Sequence, residues 1–444
     1  MCIDCLPHYQ NANVGIYAHN RPEWVIAEQA CNAFSLTVVP IYDTISEDVL
    51  SFISHQAELA CIICGKKELT KAMTCAERCQ SIRFIVQMDD DPITTTTTTT
   101  TTAAYTMTDI EQRGEKTPVT AIPPRPDNIA VICYTSGSTG DAKGVMLTHA
   151  NMVANVCGEL AANSSDVYLS YLPLAHMFER EMQVLLLGSG AAIAFYQGDA
   201  LKLFDDIATL RPTIFASVPR LYNRLYDKFM MKIRSSRVKR LLFNLAMRVK
   251  KAQLAAGIRK QDLWDQIVFK PIRNALGGRV HTMVTGSAPI ATNVMDFLRI
   301  CFNTNVYEGY GQTEATACVC MSLCGDMSAG HVGPPIDSCE VKLVDVPEMR
   351  YTSTDVPLPR GEVCIRGPCV FAGYYKSDEL TYVLLCDVST TTHALCSVQK
   401  SLMQKDGCIV VTLASGTQMV HYQSLIARRI SSNFHKASML HLRR

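Results

Sequence analysis

Residues 134–144 read YTSGSTGDAKG and combine three glycines, two serines, two threonines and one lysine. Such a segment can bind phosphate, because glycine lets the backbone bend until its N–H groups converge, while hydroxyls and Lys143 add donors and positive charge. An apolar run over residues 129–133 precedes it and predicts a buried strand. This order favours a phosphate-binding loop over a plain flexible one. The GxxxxGK[ST] spacing of a Walker loop is absent, so the segment would hold a nucleotide in a different way.

A second polar cluster comes later in the chain. A predicted strand ends at GSA, residues 286–288, and a short strand and loop, NVYEGYGQTEATA, follow at residues 305–317. Tyr310, between two glycines, is predicted to expose an aromatic face on which a base could stack. Thr313 places a hydroxyl beside the carboxylate of Glu314, and this pair suits an α-phosphate oxygen and Mg²⁺. A plain turn explains the segment equally well when it is taken alone. Together with the phosphate loop, it predicts the other half of an ATP site.

Strand-like and helix-like segments alternate through residues 13–90, and this predicts parallel βαβ units with helices on both faces of a sheet. Within this pattern, Asn20 is predicted to cap a helix that begins at Pro22, and Ser46 to cap the next helix. The alternation resumes after the phosphate loop. Nine consecutive threonines, residues 94–102, offer no apolar face to bury, so they predict a disordered surface insertion.

The composition is typical of a globular protein, and 444 residues suffice for about two or three domains. Hydrophobic residues make up 48% and charged residues 19%, and a net charge of +1 does not favour nucleic acid as a partner. No apolar run reaches membrane-spanning length, and no signal peptide is visible. Among 19 cysteines, Cys2/Cys5 and Cys61/Cys64 have CxxC spacing. Packing explains the second pair better than metal binding does, because it lies in an apolar run, and reduced thiols are expected.

Residues 220–260 are predicted to be helical and carry thirteen Lys and Arg against a single acid, Asp227. Apolar side chains recur among them at helical spacing. One interpretation is a solvated basic face above a core, and the composition favours it. The other is a surface for anionic lipid headgroups or for a phosphorylated cofactor.

Several motifs in a single order resemble the long-chain fatty acyl-CoA synthetases of the adenylate-forming superfamily. The stretches are YTSGSTGDAKG (134–144), NRPEWVIAEQAC (20–31), LPLAHMFER (172–180), VPRLYNRLYDK (218–228), GGRVHTMVTGSAP (277–289), YEGYGQTEATA (307–317) and RGEVCIRGP (360–368). The resemblance covers about residues 11–380. One departure is Ala142, where the family usually has proline, and it leaves Lys143 and the glycines in place.

The resemblance implies an α/β fold, the N-terminal domain of an adenylate-forming enzyme. Residues 1–375 would form this AMP-binding domain, with two doubly wound βαβ subdomains and a partial β-subdomain at 330–375. The implied reaction joins a long-chain fatty acid to coenzyme A through an acyl-AMP intermediate, with ATP as co-substrate and Mg²⁺ as cofactor.

The resemblance also implies roles for individual residues. The β- and γ-phosphates of ATP would be held by Thr135, Ser136, Gly137, Ser138, Thr139, Gly140 and Lys143. Adenine would be held by Tyr310 together with Gly286, Ser287 and Ala288, and Glu308, Gly309 and Gly311 would also belong to the nucleotide-binding site. Thr313 would contact the α-phosphate, Glu314 would bind Mg²⁺, and His176 would lie beside the acyl carboxylate. We expect Lys143, Thr313, Glu314 and His176 to carry the catalysis.

The resemblance stops near the C-terminus, since residues 382–444 match the family poorly and are expected to form a divergent, poorly ordered tail. The C-terminal closing domain of the family is expected to be absent, as is its membrane anchor. A non-catalytic ATP- or acyl-binding remnant is therefore an alternative function. An aryl-CoA ligase is a further alternative, which the LPLAHMFER motif and the helices at 220–260 argue against. The resemblance implies a location at the endoplasmic reticulum or other intracellular membranes. Because no apolar run reaches membrane-spanning length, we expect this chain to be cytoplasmic or peripheral, with membrane contact through residues 220–260.

Overall fold

The computed structural model describes residues 12–93, 102–136, 142–156, 160–258, 263–386 and 394–397. The chain divides into two compact units. The first comprises Met1–Ala154, Tyr171–Arg180 and Pro368–Asp387, and the second comprises Asn155–Ser170, Glu181–Gly367 and Val388–Arg444. The predicted threonine insertion, apart from Thr102, and most of the predicted tail lie outside the described residues.

Strands and helices alternate through most of the described sequence. The strands are β1 (Asn13–Tyr17), β2 (Thr37–Ile41), β3 (Cys61–Cys64), β4 (Phe84–Gln87), β5 (Ala103–Thr106), β6 (Ile129–Ser136), β7 (Ala142–Thr148), β8 (Val167–Ser170), β9 (Ala192–Phe195), β10 (Ile214–Ser217), β11 (Thr282–Thr285), β12 (Asn305–Tyr310), β13 (Cys320–Met321), β14 (Glu340–Val344), β15 (Glu362–Arg366), β16 (Gly373–Tyr374), β17 (Leu385–Cys386) and β18 (Ala394–Ser397). The α-helices are α1 (Pro22–Ala33), α2 (Glu47–Gln56), α3 (Leu69–Arg78), α4 (Met107–Lys116), α5 (His149–Val156), α6 (Met177–Ser189), α7 (Leu203–Leu210), α8 (Pro219–Arg234), α9 (Arg237–Ala255), α10 (Lys270–Asn274), α11 (Thr292–Phe302) and α12 (Asp378–Leu384).

The first unit contains an eight-stranded sheet in the order β16-β7-β6-β2-β1-β3-β4-β5. The strands from β6 to β5 in this order are parallel, and β7 and β16 add antiparallel pairs at one edge. Strands β2 and β3 are buried along their whole lengths, and this explains their continuous apolar sequences, TVVPI and CIIC. The predicted parallel βαβ units are therefore confirmed.

Two local predictions in this unit have different outcomes. The Ser46 side chain accepts a hydrogen bond from the backbone N–H of Val49, so it caps α2 as predicted. The predicted cap at Asn20 is wrong, because the N-cap position is Arg21 and no side-chain cap is made there. Asn20 is buried, and its amide instead bonds the backbone of a distant loop. Because the proline at the start of α1 has no N–H, the first turn of the helix has one donor fewer to satisfy. The Asn20 side chain can therefore bond the distant loop instead of the helix end.

Cys61 and Cys64 lie on β3 inside the core of the first unit, where packing accounts for them. Burial raises the pKa of the Cys61 thiol to about 12, so the thiol stays protonated. Across the described part of the chain, no three His, Cys, Asp or Glu side chains cluster as a metal site would require. Cys2 and Cys5 lie outside the described residues.

The second unit contains a six-stranded sheet in the order β13-β12-β11-β10-β8-β9. The strands β9, β8, β10, β11 and β12 are parallel, and β13 pairs antiparallel with β12. The predicted helical stretch at 220–260 forms α8 and α9. Further on, β15 pairs antiparallel with both β14 and β18. Among the helices that the structure describes, none combines the length and apolarity needed to cross a bilayer.

Candidate functional site

The phosphate loop joins two antiparallel strands. In the β6–β7 hairpin, Thr135 lies opposite Lys143 and Ser136 lies opposite Ala142. Gly137, Ser138, Thr139 and Gly140, predicted to bind phosphate with them, lie outside the described residues. The described part of the hairpin thus places Thr135 opposite Lys143, the only lysine of the motif. Both residues lie near the strand ends that the motif connects.

Two lysines at this edge of the sheet each lie beside a tyrosine ring, and the sequence motifs gave these tyrosines no role. The Lys143 ammonium lies 5.6 Å from the centroid of the Tyr374 ring. Tyr374 lies on β16 and pairs with Val145 of β7. Lys376 lies 5.3 Å above the neighbouring ring of Tyr375, but it also forms an ion pair with Glu58. The Tyr374 ring of β16 therefore lies beside Lys143 at this edge of the hairpin.

The segment that carries His176 belongs to the first unit, where the side chains of Asn20 and Cys133 hydrogen-bond its backbone. The Asn20 amide nitrogen donates to the carbonyl of Leu172 at 2.6 Å, and its oxygen accepts from the N–H of Leu174 at 3.0 Å. The thiol of Cys133, on β6, donates to the carbonyl of Ala175 at 3.6 Å. Three successive parts of the loop are thereby held before His176, so its position depends on residues far away in sequence.

A buried ion pair holds the other side of this loop. At the first turn of α6, Arg180 pairs with Glu28 of α1, and its guanidinium lies 5.3 Å from the ring of Trp24. Burial raises the pKa of Glu28, and Arg180 opposes this shift. The segment from Asn20 to Glu28 thus contacts both the loop before His176, through Asn20, and helix α6 after it, through α1, so the NRPEW motif has a tertiary role.

The ring of His176 has a defined protonation pattern. Its Nδ1 accepts a hydrogen bond from the backbone N–H of Phe178 at 3.2 Å. In the neutral ring, the proton is therefore on Nε2. The ring keeps solvent-exposed surface, yet enough protein surrounds it that burial lowers its pKa below 6.5. His176 is therefore neutral at pH 7.

In the second unit, the two predicted adenine segments lie side by side. Thr285, the last residue of β11, is the register partner of Glu308 on β12. A Cβ placed on Gly286 would lie 3.4 Å from the carbonyl oxygen of Gly309, so the two backbones approach closely. Ser287 has a positive φ of 68°, and the Glu308 carboxylate accepts from the N–H of Ile290 at 3.2 Å. The parallel register thus brings the residues 286–288 and 308–311 together.

Three buried polar atoms near these strand ends have no hydrogen-bond partner among the described residues. They are Thr285 Oγ1, Glu308 Oε2 and Gln312 Nε2. Burial raises the pKa of Glu308. Buried polar atoms normally have partners, and a purine offers both donors and acceptors along its edge. These residues therefore fit a nucleobase.

The predicted exposure of Tyr310 is wrong, because only 8% of the residue is accessible to solvent. Tyr310 pairs with Cys320 of β13, and the N–H of Val319 donates to its carbonyl at 2.8 Å. The chain folds back onto β12 immediately after the motif, and this return segment accounts for the burial. A flat, open stacking platform at Tyr310 is therefore excluded, while its proposed contact with adenine stays a prediction.

Thr313 and Glu314 lie in a short 3₁₀ helix, Thr313–Ala315, between β12 and β13. Asn155 holds this turn in place: its amide donates to the carbonyls of Ala315 at 3.3 Å and Cys318 at 2.7 Å. Its oxygen accepts from the N–H of Cys318 at 2.9 Å. Asn155 was not predicted, and a single asparagine in an apolar helix carries no signal in the sequence alone. Both Thr313 and Glu314 retain solvent-accessible surface, as a contact with phosphate or Mg²⁺ requires.

Comparisons with known proteins identify the family of this chain. The model of the family described as AMP-binding enzyme matches residues 6–375. Long chain acyl-CoA synthetase 7, peroxisomal, of Arabidopsis thaliana is 48% identical over 379 residues, which are 84% of this chain and 54% of that protein. Long chain acyl-CoA synthetase 6, peroxisomal, of the same plant is 46% identical over 374 residues, 83% and 53% of the two chains. The chain spans about half the length of these curated relatives.

A solved structure has a similar fold. The A-PCP didomain of carboxylic acid reductase from Segniliparus rugosus, determined in complex with AMP, superposes with a TM-score of 0.69. The sequences are 24% identical, and the match covers 88% of this chain and 54% of that one. This likeness concerns the fold, and it confirms the predicted α/β architecture of an adenylation domain.

Proposed function

The chain belongs to the AMP-binding enzyme family, and from this premise we propose that it activates long-chain fatty acids with ATP and transfers them to coenzyme A. The observation that carries the proposal is the 46–48% identity to two proteins named long chain acyl-CoA synthetases. The paired Thr135 and Lys143, and the adjacent 286–288 and 308–311 segments, support it. We also propose Mg²⁺ as the cofactor, bound through Glu314 together with phosphate oxygens.

The chemistry consists of two displacements. A carboxylate oxygen of the fatty acid attacks the α-phosphorus of ATP, the bond to the bridging oxygen breaks, and pyrophosphate leaves. The sulfur of coenzyme A then attacks the acyl carbon, the carbon–oxygen bond to AMP breaks, and the thiol proton is released. The first step replaces an oxide, which is a poor leaving group, by AMP, which is a good one.

The protein contributes mainly position and charge in this proposal. Lys143 and the hydroxyls of its loop would neutralise the β- and γ-phosphates as pyrophosphate leaves. Thr313 would donate to the α-phosphate. His176, neutral and protonated on Nε2, would offer a donor beside the acyl carboxylate. Mg²⁺, when bound, would supply further neutralisation of phosphate charge.

The test is exchange of labelled pyrophosphate into ATP, because this reports the first step alone. We expect exchange that requires palmitate and that benzoate does not support. If benzoate supported exchange and palmitate did not, the substrate would be an aryl acid and the proposed fatty-acid substrate would be wrong. Binding of ATP by calorimetry without exchange for any acid would contradict the enzymatic function and favour a binding role.

Asn20 is expected to act as a positioning residue for His176. The Asn20→Ala variant leaves the buried backbone groups of Leu172 and Leu174 without their partner, which costs about 1–3 kcal/mol of unfolding free energy. We expect the palmitate-dependent exchange rate to fall about tenfold, with the KM for ATP changed by less than about twofold, because the β6–β7 hairpin is untouched. Kinetics at varied ATP and palmitate concentrations measure this.

Gln87→Ala is the matched control, since Gln87 is also buried and donates its side-chain amide to two backbone carbonyls in this unit, those of Asp89 at 2.8 Å and Asp91 at 2.9 Å. It should lower stability while leaving the exchange kinetics of the folded protein unchanged. If both variants lose exchange in proportion to stability, Asn20 has only a structural role.

The protonation of His176 predicts a pH dependence. Because the folded-state pKa lies below 6.5, the unfolded state takes up the proton first as the pH falls through 6.5, and folding stability declines there. Protonation of Nδ1 would also remove the acceptor for Phe178. The His176→Gln variant should therefore lose less stability than the wild type between about pH 7 and pH 5.5 in thermal unfolding. Equal losses in both proteins would contradict this effect.

A further inference from the structure

The basic helices α8 and α9 each have an inner face that is fully explained by packing. Tyr226 of α8 and Phe243 of α9 contact Phe297 of α11, with ring centroids 5.2 and 6.5 Å apart. Phe243 also packs against Phe269 at 6.2 Å. The interpretation of a helical face above a core is therefore correct for this side of the helices.

One lysine of the predicted solvated face is in fact buried. Lys250, on the inner face of α9, is fully inaccessible to solvent and forms an ion pair with Asp265. Arg273 contacts the same carboxylate at 2.6 Å. Lys250 therefore belongs to the interior of the second unit and not to the exposed basic face of α9.

A second set of apolar residues lies on the outside of α9. Val238, Leu241, Leu242 and Leu245 occupy positions i, i+3, i+4 and i+7, and they are 67%, 71%, 42% and 47% exposed. We call these four residues the α9 ridge. Apolar side chains at this spacing normally form the buried stripe of a helix. Here the buried stripe is formed by other residues, so the ridge is an additional apolar face in solvent.

Basic residues flank this ridge. By the helical period, Arg237 and Arg248 lie along one edge of it and Lys239 lies along the other; all three are exposed, and we call them the α9 rim. Within the described parts of the chain, none of the three lies within ion-pair distance of a carboxylate, whereas Lys251 pairs with Asp296. The rim therefore retains its positive charge beside an apolar surface.

We propose that the α9 ridge and rim bind the surface of an anionic phospholipid bilayer, with α9 lying in the plane of the headgroups. In that position the leucines enter the boundary of the acyl chains, and the arginines and the lysine of the rim contact lipid phosphates. Both halves of the surface are then used at once. This inference does not depend on the proposed enzymatic function.

Other occupants match the surface less well. A nucleic acid would neutralise the rim but leave the leucines in water. Residues 401–444 of the same chain contain six Lys and Arg and a single acid, Asp406, so their charge does not complement the rim. An anionic bilayer complements both the charge and the apolarity.

Sedimentation of the full chain with vesicles tests the proposal. We expect binding to phosphatidylcholine vesicles that contain about 30 mol% phosphatidylserine, weakening as salt is raised, and little binding to pure phosphatidylcholine. The double variant Leu241→Glu/Leu245→Glu, and the triple variant Arg237→Gln/Lys239→Gln/Arg248→Gln, should each bind on the order of 100-fold more weakly. In Leu241→Trp, tryptophan emission should shift to shorter wavelength when the anionic vesicles are added.

Matched controls separate the surface from general effects of charge and folding. Arg78→Gln/Lys342→Gln/Arg279→Gln removes the same charge from exposed positions elsewhere, and Val356→Glu changes an apolar residue that is 92% exposed. Both should bind vesicles like the wild type, with thermal unfolding unchanged by any of these substitutions. Lys143→Ala should also bind normally, so failure of the enzymatic proposal would be seen separately.

Three results would overturn the proposal. One is equal binding to neutral and anionic vesicles, or to neither. Another is binding to single-stranded RNA that competes with vesicles and is insensitive to Leu241→Glu/Leu245→Glu, since this would indicate a purely ionic surface. The third is a concentration-dependent dimer that the same double variant dissociates, since a second copy would then cover the ridge.

Discussion

Lys143→Ala is expected to lower palmitate-dependent ATP–pyrophosphate exchange by at least about 100-fold. Lys143 lies opposite Thr135 in the β6–β7 hairpin, and it is the only cation of the YTSGSTGDAKG motif. Pyrophosphate carries away the charge that develops when the α-phosphorus is attacked. In the proposed mechanism Lys143 neutralises this charge, so without its ammonium the transition state would lose a fixed positive charge. Most of the loss should appear in the turnover rate, with a smaller rise in the KM for ATP.

Lys376→Ala is the matched control for this prediction. Both lysines stack on tyrosine rings, Lys143 on Tyr374 and Lys376 on Tyr375, at 5.6 and 5.3 Å. Lys376 already forms an ion pair with Glu58 and lies outside the phosphate motif. We expect its exchange rate to stay within about twofold of the wild type. A comparable loss in both variants would show that removing a stacked lysine, and not the loss of phosphate binding, lowers the rate.

Gly311→Ala should have the next largest effect, through the shape of the turn that carries Thr313 and Glu314. A Cβ at Gly311 would lie 1.5 Å from the carbonyl oxygen of Ala317, so the turn between β12 and β13 has to open. Overpacking of this kind costs about 1–3 kcal/mol of stability. A displacement of about 1 Å at catalytic groups can cost about 100-fold in rate, and we expect a loss of that order in exchange. Unfolding by denaturant and the exchange assay measure the two effects.

A glycine outside the site separates strain from displacement. Gly325 has a positive φ of 81°, and a Cβ there would meet no atom within 4 Å. Gly325→Ala should therefore lose about 1–2 kcal/mol through backbone strain alone and keep its exchange activity. If Gly311→Ala exchanged pyrophosphate normally when all of the protein is folded, the contribution of Thr313 and Glu314 to exchange would not depend on the observed turn.

The predictable part of the site is the part that lies along the chain. The strand β6, the position of Lys143 directly after the loop, and the strand β12 with Glu308 were all evident in local patterns. The contacts of Asn20, Asn155 and Arg180 were not evident. Each joins residues that are more than 150 positions apart, and a polar residue near a helix start is equally consistent with a local cap. Asn20 was assigned to such a cap, and the assignment is wrong.

Side-chain exposure was the least predictable property. Tyr310 between two glycines indicated an accessible ring, yet β13 folds back over it. Lys250 in a basic stretch indicated a solvated side chain, yet it is buried and pairs with Asp265, whose other carboxylate oxygen contacts Arg273. In contrast, the exposed leucines of α9, such as Leu241 and Leu245, were not identified from the sequence. Periodicity shows that a helix has apolar stripes. When there are two, as in α9, it does not show which one the neighbouring elements bury.

The sequence alone determined that YTSGSTGDAKG follows a buried strand and that βαβ units precede it. It also predicts that this segment binds the phosphates of a nucleotide. These properties depend on local geometry and on period, which a linear pattern contains. Only the tertiary structure decided that Lys143 lies across from Thr135 beside Tyr374, that Asn20 holds the loop before His176, and that α9 presents leucines to solvent. These properties depend on which distant elements pack together, and the free energy of that packing is shared among many residues that no local pattern connects.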